Sequence, residues 1–152
     1  MKTMLVILVS LFTMTTFAVE QEPLSYAEMS CDIYNTRLEN GILKESQLLV
    51  SNKGNRFELG MAQWMKTELP APYQGITVSF NHFSSYYNET GPETKTPYLQ
   101  AYFEQNKKMI DPTRINFDIK NPVEGSKLLL RGTYKLSPES LLAYDCYLVF
   151  VK

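Results

Sequence analysis

The chain contains only two cysteines, and each lies in a stretch with the alternation of a β-strand. In Leu142–Phe150 every second side chain, including that of Cys146, falls on one apolar face, because strand side chains alternate with period two. Cys31 occupies the apolar face of an earlier stretch, Met29–Thr36. Directly opposed residues of antiparallel strands lie close enough to form a disulfide. We therefore predict that the first and last strands are adjacent and bridged by Cys31 and Cys146; two buried free thiols are the alternative.

The last strand is apolar on its other face as well, through residues such as Ala143 and Val149. A strand at the edge of a sheet rarely has two apolar faces, because one of them meets water. This pattern predicts that the last strand is central in its sheet or covered by another element.

The first residues have the features of an export signal. Lys2 precedes an apolar run, Met4–Phe12, that is too short to span a bilayer, and small residues follow at Thr16 and Ala18. We predict a cleaved secretory signal at residues 1–18, a flexible lead-in at 19–27 and a single β domain at 28–152. A secreted or periplasmic location follows, and its oxidising conditions favour the disulfide. No later run is long enough for a transmembrane helix, so no integral membrane segment is expected after signal removal.

Turn signals such as Glu39-Asn-Gly41 divide the domain into about eight strands. Besides the first and last, the predicted strands are Ile42–Val50, Arg56–Met61, Ile76–His82, Tyr98–Gln105, Arg114–Lys120 and Lys127–Leu136. The fold class is therefore all-β and antiparallel, either a β-barrel closed by the first and last strands or a two-sheet β-sandwich.

Two local features of this strand order are also predicted. Ile42–Val50 and Arg56–Met61 have the strongest hairpin pattern, across the turn at residues 51–55. Between them and Pro70, apolar residues recur at near-helical spacing, which predicts one or two turns of helix. These residues are Met61, Trp64, Met65 and Leu69.

The sequence contains no recognisable catalytic set. His82 is the only histidine. It could act as a general base beside Ser84 or Ser85 with a distant Asp, but proximity in sequence does not supply the geometry that such a base needs, so we interpret His82 as a half-buried residue at the end of a strand. One histidine and two bridged cysteines do not make an ordinary zinc site, and no phosphate-binding glycine loop occurs. Asp32 and Asp145 are expected opposite each other on the face away from the bridge, as solvated residues. We expect no enzyme activity and no cofactor.

Charge and aromatic content narrow the class of partner. The net charge is −1 and no basic cluster occurs, which argues against nucleic-acid binding. Aromatic residues flank the long polar loop Ser84–Pro97; they are Phe83, Tyr86, Tyr87, Tyr98 and Tyr102. Tyrosines beside small polar residues make adaptable contact surfaces, although tyrosines also simply cover sheet faces. We predict that these five residues bind an unidentified protein or glycan partner.

Two other functions are consistent with the strand pattern. The inward apolar faces of a closed barrel would enclose a small apolar ligand, which describes a carrier. The alternating strands are also compatible with a small outer-membrane β-barrel. The two-sided apolar last strand and the irregular placement of aromatic residues disfavour this last alternative.

Overall fold

The computed structural model describes residues 26–83, 97–117 and 123–152. Within these residues the chain forms nine strands and no helix, so the prediction of an all-β antiparallel fold is confirmed. The strands are β1 (Tyr26–Glu39), β2 (Ile42–Lys53), β3 (Phe57–Glu58), β4 (Gln63–Glu68), β5 (Ile76–Phe83), β6 (Tyr98–Gln105), β7 (Lys108–Asn116), β8 (Lys127–Ser137) and β9 (Ser140–Val151). The predicted signal at 1–18 lies outside the described residues, and the last two residues of the predicted lead-in belong to β1.

The strands form two antiparallel sheets. In the first sheet, which we call sheet A, the order is β2-β1-β9-β8, and the short β3 pairs with the start of β1. Sheet B has the order β4-β5-β6-β7. The two sheets do not close into a barrel, and their buried faces share one apolar core, so the sandwich is the alternative that is formed. Asn52 of β2 donates a hydrogen bond to Thr67 of β4 (2.8 Å), which joins the sheets along one side.

The first and last strands are adjacent, as predicted, and β9 is central in sheet A because it lies between β1 and β8. The register places Cys31 directly opposite Cys146, with their Cα atoms 4.0 Å apart, and the two residues form a disulfide. Both side chains are buried in the core. The bridge therefore joins two strands that are separated by 115 residues in sequence.

The Glu39-Asn-Gly41 turn is also confirmed. It connects β1 to β2, and Asn40 and Gly41 have φ angles of 53° and 75°. Two successive positive φ angles match the twist of a two-residue hairpin, which explains why Asn-Gly is favoured there.

Tyr144 of β9 joins the two sheets through the centre of the core. Its ring is completely buried, and its hydroxyl donates a hydrogen bond to the Ala101 carbonyl of β6 (2.9 Å). The Thr113 hydroxyl of β7 lies 2.7 Å from the same oxygen. The ring has room because the residue directly opposite it on β8 is Gly132, which has no side chain. Burial raises the pKa of Tyr144 to about 12, since the phenolate would be formed without water.

Two local predictions were wrong. The segment expected to form helical turns contains strand β4, and the expected partner of β2 is not β3: β3 has only two residues and pairs with β1. The reason for the first error is that Met61 and Trp64 are exposed at the sheet edge, 58% and 65% respectively, so their spacing does not mark a buried helical stripe. The second error follows from the 54–56 segment, which leaves the sheet edge and returns to β1.

Candidate functional site

The predicted partner-binding residues that the structure describes lie on the outer face of sheet B, where β5 ends and β6 begins. Phe83 and Tyr98 are paired across these strands, and Tyr102 lies farther along β6 on the same face. Tyr86 and Tyr87 lie outside the described residues, as does the rest of the segment 84–96. The structure therefore brings Phe83 and Tyr98 together, while Tyr102 stands apart from them.

Phe83, Tyr98 and Arg114 form a three-layer stack, which we call the aromatic–arginine stack. The rings of Phe83 and Tyr98 are stacked with centroids 4.5 Å apart. The guanidinium carbon of Arg114, from β7, lies 3.6 Å from the Tyr98 centroid. Arg114 Nε also donates a long hydrogen bond to Asn116 Oδ1 (3.4 Å). An arginine held against an aromatic ring keeps its planar fork of donors in a fixed orientation. The Arg114 guanidinium is therefore preorganised to donate hydrogen bonds.

Sequence analysis did not identify Arg114 as a site residue. The alternation of Arg114–Lys120 placed its side chain on the polar face of a strand, which is correct for the described part of that stretch. Its position beside Tyr98 depends on the register between β6 and β7. That register contains a bulge between Ala101 and Phe103, and no sequence signal marked this bulge.

A row of side chains crosses the outer face of sheet B beside the stack. The register aligns Trp64, Asn81, Gln100 and Arg114 on β4, β5, β6 and β7. Adjacent strands are about 4.8 Å apart, so three gaps give a row of about 14 Å. The row ends in an exposed indole and a guanidinium. Of the two amide side chains between them, that of Asn81 is buried (7% exposed) and that of Gln100 is half-buried, so Gln100 is the accessible amide. This arrangement offers both planar apolar surface and directional hydrogen bonds.

An ion pair borders this row. Lys66 Nζ lies 2.9 Å from Glu104 Oε1, on the outer face of β4 and β6. The hydrogen bond to Glu104 raises the pKa of Lys66, so the lysine stays charged over the physiological range. Tyr102 projects from β6 on the same face as Glu104, two residues away.

His82 lies in the apolar core. Its side chain is 0% exposed, and its ring lies between those of Phe57 and Phe117, at centroid distances of 5.2 and 5.8 Å. Nδ1 is 2.9 Å from the Met61 carbonyl oxygen, which only accepts, so Nδ1 carries the proton of the neutral ring. Nε2 has no hydrogen-bond partner among the described residues. Burial lowers the pKa of His82, and the residue is more deeply buried than the sequence indicated.

Asp32 and Asp145 lie opposite each other on the outer face of sheet A, as the cysteine register requires. Each carboxylate has its own partner: Ser51 Oγ donates to Asp32 (2.6 Å), and Arg131 Nε donates to Asp145 (3.1 Å). In residues 26–83, 97–117 and 123–152 no three His, Cys, Asp or Glu side chains are grouped to hold a metal ion. The carboxylates of Asp32 and Asp145 therefore each have their own hydrogen-bond donor.

The disulfide bears on the location of the protein. A structural disulfide is compatible with an extracellular or periplasmic protein, since such compartments are oxidising. None of the described residues forms a helix with the length and hydrophobicity of a membrane crossing.

No protein-family model, curated protein or solved structure matches the chain.

Proposed function

We propose that this protein is an exported, non-catalytic binding domain that recognises a glycan on the outer face of sheet B. The observation that supports this proposal is the aromatic–arginine stack at the end of β5 and the start of β6. The leader-like residues 1–18 and the Cys31–Cys146 disulfide support export.

The chemistry of the outer face suits a sugar. A sugar ring has an apolar C–H face that packs on an aromatic ring, and its hydroxyls both donate and accept hydrogen bonds. The fixed guanidinium of Arg114 supplies donors, and the amide of Gln100 in the same row supplies a donor pair and an acceptor. Tyr102 and the Lys66–Glu104 pair extend this mixture of aromatic and polar groups. A short oligosaccharide laid across the strands would contact all of them.

The same face is less suited to a protein partner. Protein interfaces are centred on a desolvated apolar cluster from which charged residues are depleted. Here the centre of the face is polar, since Ser79, Asn81 and Gln100 lie on the two central strands β5 and β6. The charged Lys66 and Arg114 lie on the two edge strands, so the face has no apolar centre. The observations therefore favour a glycan over a protein, and the experiment below separates the two.

The test is binding of the purified protein to an immobilised library of neutral, acidic and amino-sugar oligosaccharides, followed by titration with each bound sugar. Arg114→Ala should weaken binding by about tenfold or more, because a hydrogen bond to a charged donor contributes about 1.5–3 kcal/mol. Arg114→Lys should not restore the affinity, since lysine lacks the planar fork. Arg131→Ala is the matched control: Arg131 is exposed and ion-paired on sheet A.

Thermal unfolding of each variant separates binding from packing. Arg114 is exposed, so its substitution should leave the melting temperature close to that of the wild type. Failure of every sugar to bind, or equal weakening by Arg114→Ala and Arg131→Ala, would overturn the proposal. Capture of a protein that depends on Arg114, in the absence of any sugar binding, would replace the glycan with a protein partner.

A further inference from the structure

A groove lies at the open side of the sandwich, between the β2–β3 connection and the start of β4. Its volume is about 340 Å³, which is at the lower end of the range for small-molecule sites. It is separate from the aromatic–arginine stack, which lies toward β7 on the other side of sheet B. Of the residues in the row on the outer face, only Trp64 also lines the groove.

A local bulge creates this groove. Lys53 of β2 pairs with Ser30 of β1, and Phe57 of β3 pairs with Ala27. Residues 54–56 therefore lie opposite only two residues of β1, 28 and 29. The chain leaves the sheet edge to accommodate the extra residue. The Gly54 amide still donates to the Met29 carbonyl (2.7 Å), which fixes the start of the bulge. A Cβ at position 54 would lie 3.0 Å from that carbonyl oxygen, so the small residue permits this close approach.

The lining of the groove is amphipathic. Apolar surface comes from the half-buried Met65 and the exposed Trp64, whereas Met29 is almost completely buried (3% exposed). Lys53 and Arg56 supply two positive charges. None of the described residues that line the groove is acidic. Neither cation takes part in an ion pair within the described part of the chain. The Arg56 guanidinium is nevertheless held in place, with its carbon 4.1 Å from the centroid of Tyr26.

We propose that this groove binds a small amphipathic anion: a carboxylate-bearing molecule with a short apolar chain. The carboxylate pairs with Arg56 and Lys53, because a guanidinium fork matches the two oxygens of a carboxylate. The apolar chain packs against Met65 and Trp64 at the edge of β4, where the flexible thioether of Met65 adapts to its shape. The two positive charges among the described lining residues favour this class of ligand over a cationic or neutral amphiphile. The proposal does not depend on glycan binding at the stack.

Trp64 is the only tryptophan in the chain and is 65% exposed, so its fluorescence reports directly on the groove. The experiment is a titration of the disulfide-intact protein with octanoate, with calorimetry as an independent readout. We expect a saturable blue shift and enhancement of the emission, because the apolar chain displaces water from the indole. Octanol and octylammonium, which share the chain but not the negative charge, should bind roughly tenfold more weakly or not at all. Octyl phosphate separates a requirement for a carboxylate from a requirement for any anion.

The charge-neutral double variant Lys53→Gln/Arg56→Gln should lose octanoate binding by at least about tenfold. The double variant Arg131→Gln/Lys135→Gln removes the same net charge from β8 and should retain the wild-type affinity. Equal binding of octanoate, octanol and octylammonium, or equal loss in the two double variants, would overturn the proposal. Preferential binding of octyl phosphate would overturn the carboxylate assignment. Arg114→Ala should leave octanoate binding unchanged, so failure at one site is distinguishable from failure at the other.

Discussion

Replacing Gly132 with alanine tests the description of the core most directly. A glycine inside a strand costs roughly 0.5–1 kcal/mol relative to alanine, so propensity alone predicts that Gly132→Ala stabilises the protein. The structure predicts the opposite. A Cβ at position 132 would lie 2.6 Å from Tyr144 Cε1, and closer still to Cζ and the hydroxyl. The ring is completely buried and its hydroxyl is bonded to Ala101 and Thr113, so it does not move aside freely.

The magnitude follows from two costs. Overpacking a core costs about 1–3 kcal/mol. If the Tyr144 ring shifts, the buried Ala101 carbonyl and Thr113 hydroxyl lose their partner, which costs about 1–3 kcal/mol more. After subtraction of the propensity gain, Gly132→Ala should lower the free energy of unfolding by about 1–5 kcal/mol. This is a large fraction of the total for a domain of this kind, about 5–15 kcal/mol.

The assay is equilibrium urea unfolding with the disulfide intact. Gly60→Ala is the matched control, because a Cβ there meets no atom within 4 Å and Gly60 does not have a positive φ; it should change stability by no more than about 0.5 kcal/mol. In a Tyr144→Leu background, Gly132→Ala should cost much less, since the obstructing ring end is gone. A neutral or stabilising effect of Gly132→Ala in the wild-type background would refute this account of the core.

Two further predictions concern His82 and the disulfide. Burial lowers the pKa of His82 in the folded state below its ordinary value of 6.5, so below about pH 6.5 the unfolded chain binds a proton that the folded one does not. The free energy of unfolding should be fully retained above that pH and should fall by up to about 1.4 kcal/mol per pH unit below it, until the pKa of His82 in the folded state is reached. Urea unfolding between pH 5 and 8 should show this slope in the wild type but not in His82→Gln. The Cys31→Ala/Cys146→Ala variant opens a 115-residue loop and should lose about 4–5 kcal/mol in the chain-entropy model. An unchanged urea midpoint, relative to the oxidised wild type, would contradict the second prediction.

Much of sheet A could be predicted from the sequence, because its signals are local or unique. Cys31 and Cys146 have only each other as partners, and each lies on the apolar face of its strand. Their pairing fixes the register of β1 against β9, and with it the opposition of Asp32 and Asp145. The Asn40-Gly41 turn likewise depends on two adjacent residues that accept positive φ angles.

The sequence-based predictions were wrong in two kinds of place. One is where strands that are not consecutive in the chain pair with each other, and the other is where residues adopt backbone angles that their type does not favour. The connection between β6 and β7 turns at Asn106 and Lys107, both with positive φ although neither is glycine. The sequence therefore did not show that β7 begins at Lys108, or that Arg114 reaches Tyr98. In the same way, the bulge that forms the groove depends on the pairing of β3 with β1. Burial of the Phe57 side chain in the core favours this pairing, and the sequence of the preceding turn does not indicate it.

The position of β9 beside β1 has a consequence for the order in which the protein is made. β1 is synthesised first among the described strands and β9 last, yet they are the two central strands of sheet A. Until β9 emerges, β1 has one unpaired edge and Cys31 has no thiol to join. Completion of sheet A must therefore wait for β9, and contacts of such high sequence separation form slowly. A prematurely terminated chain would keep a reactive thiol and an open strand edge, and both features distinguish it from the finished molecule.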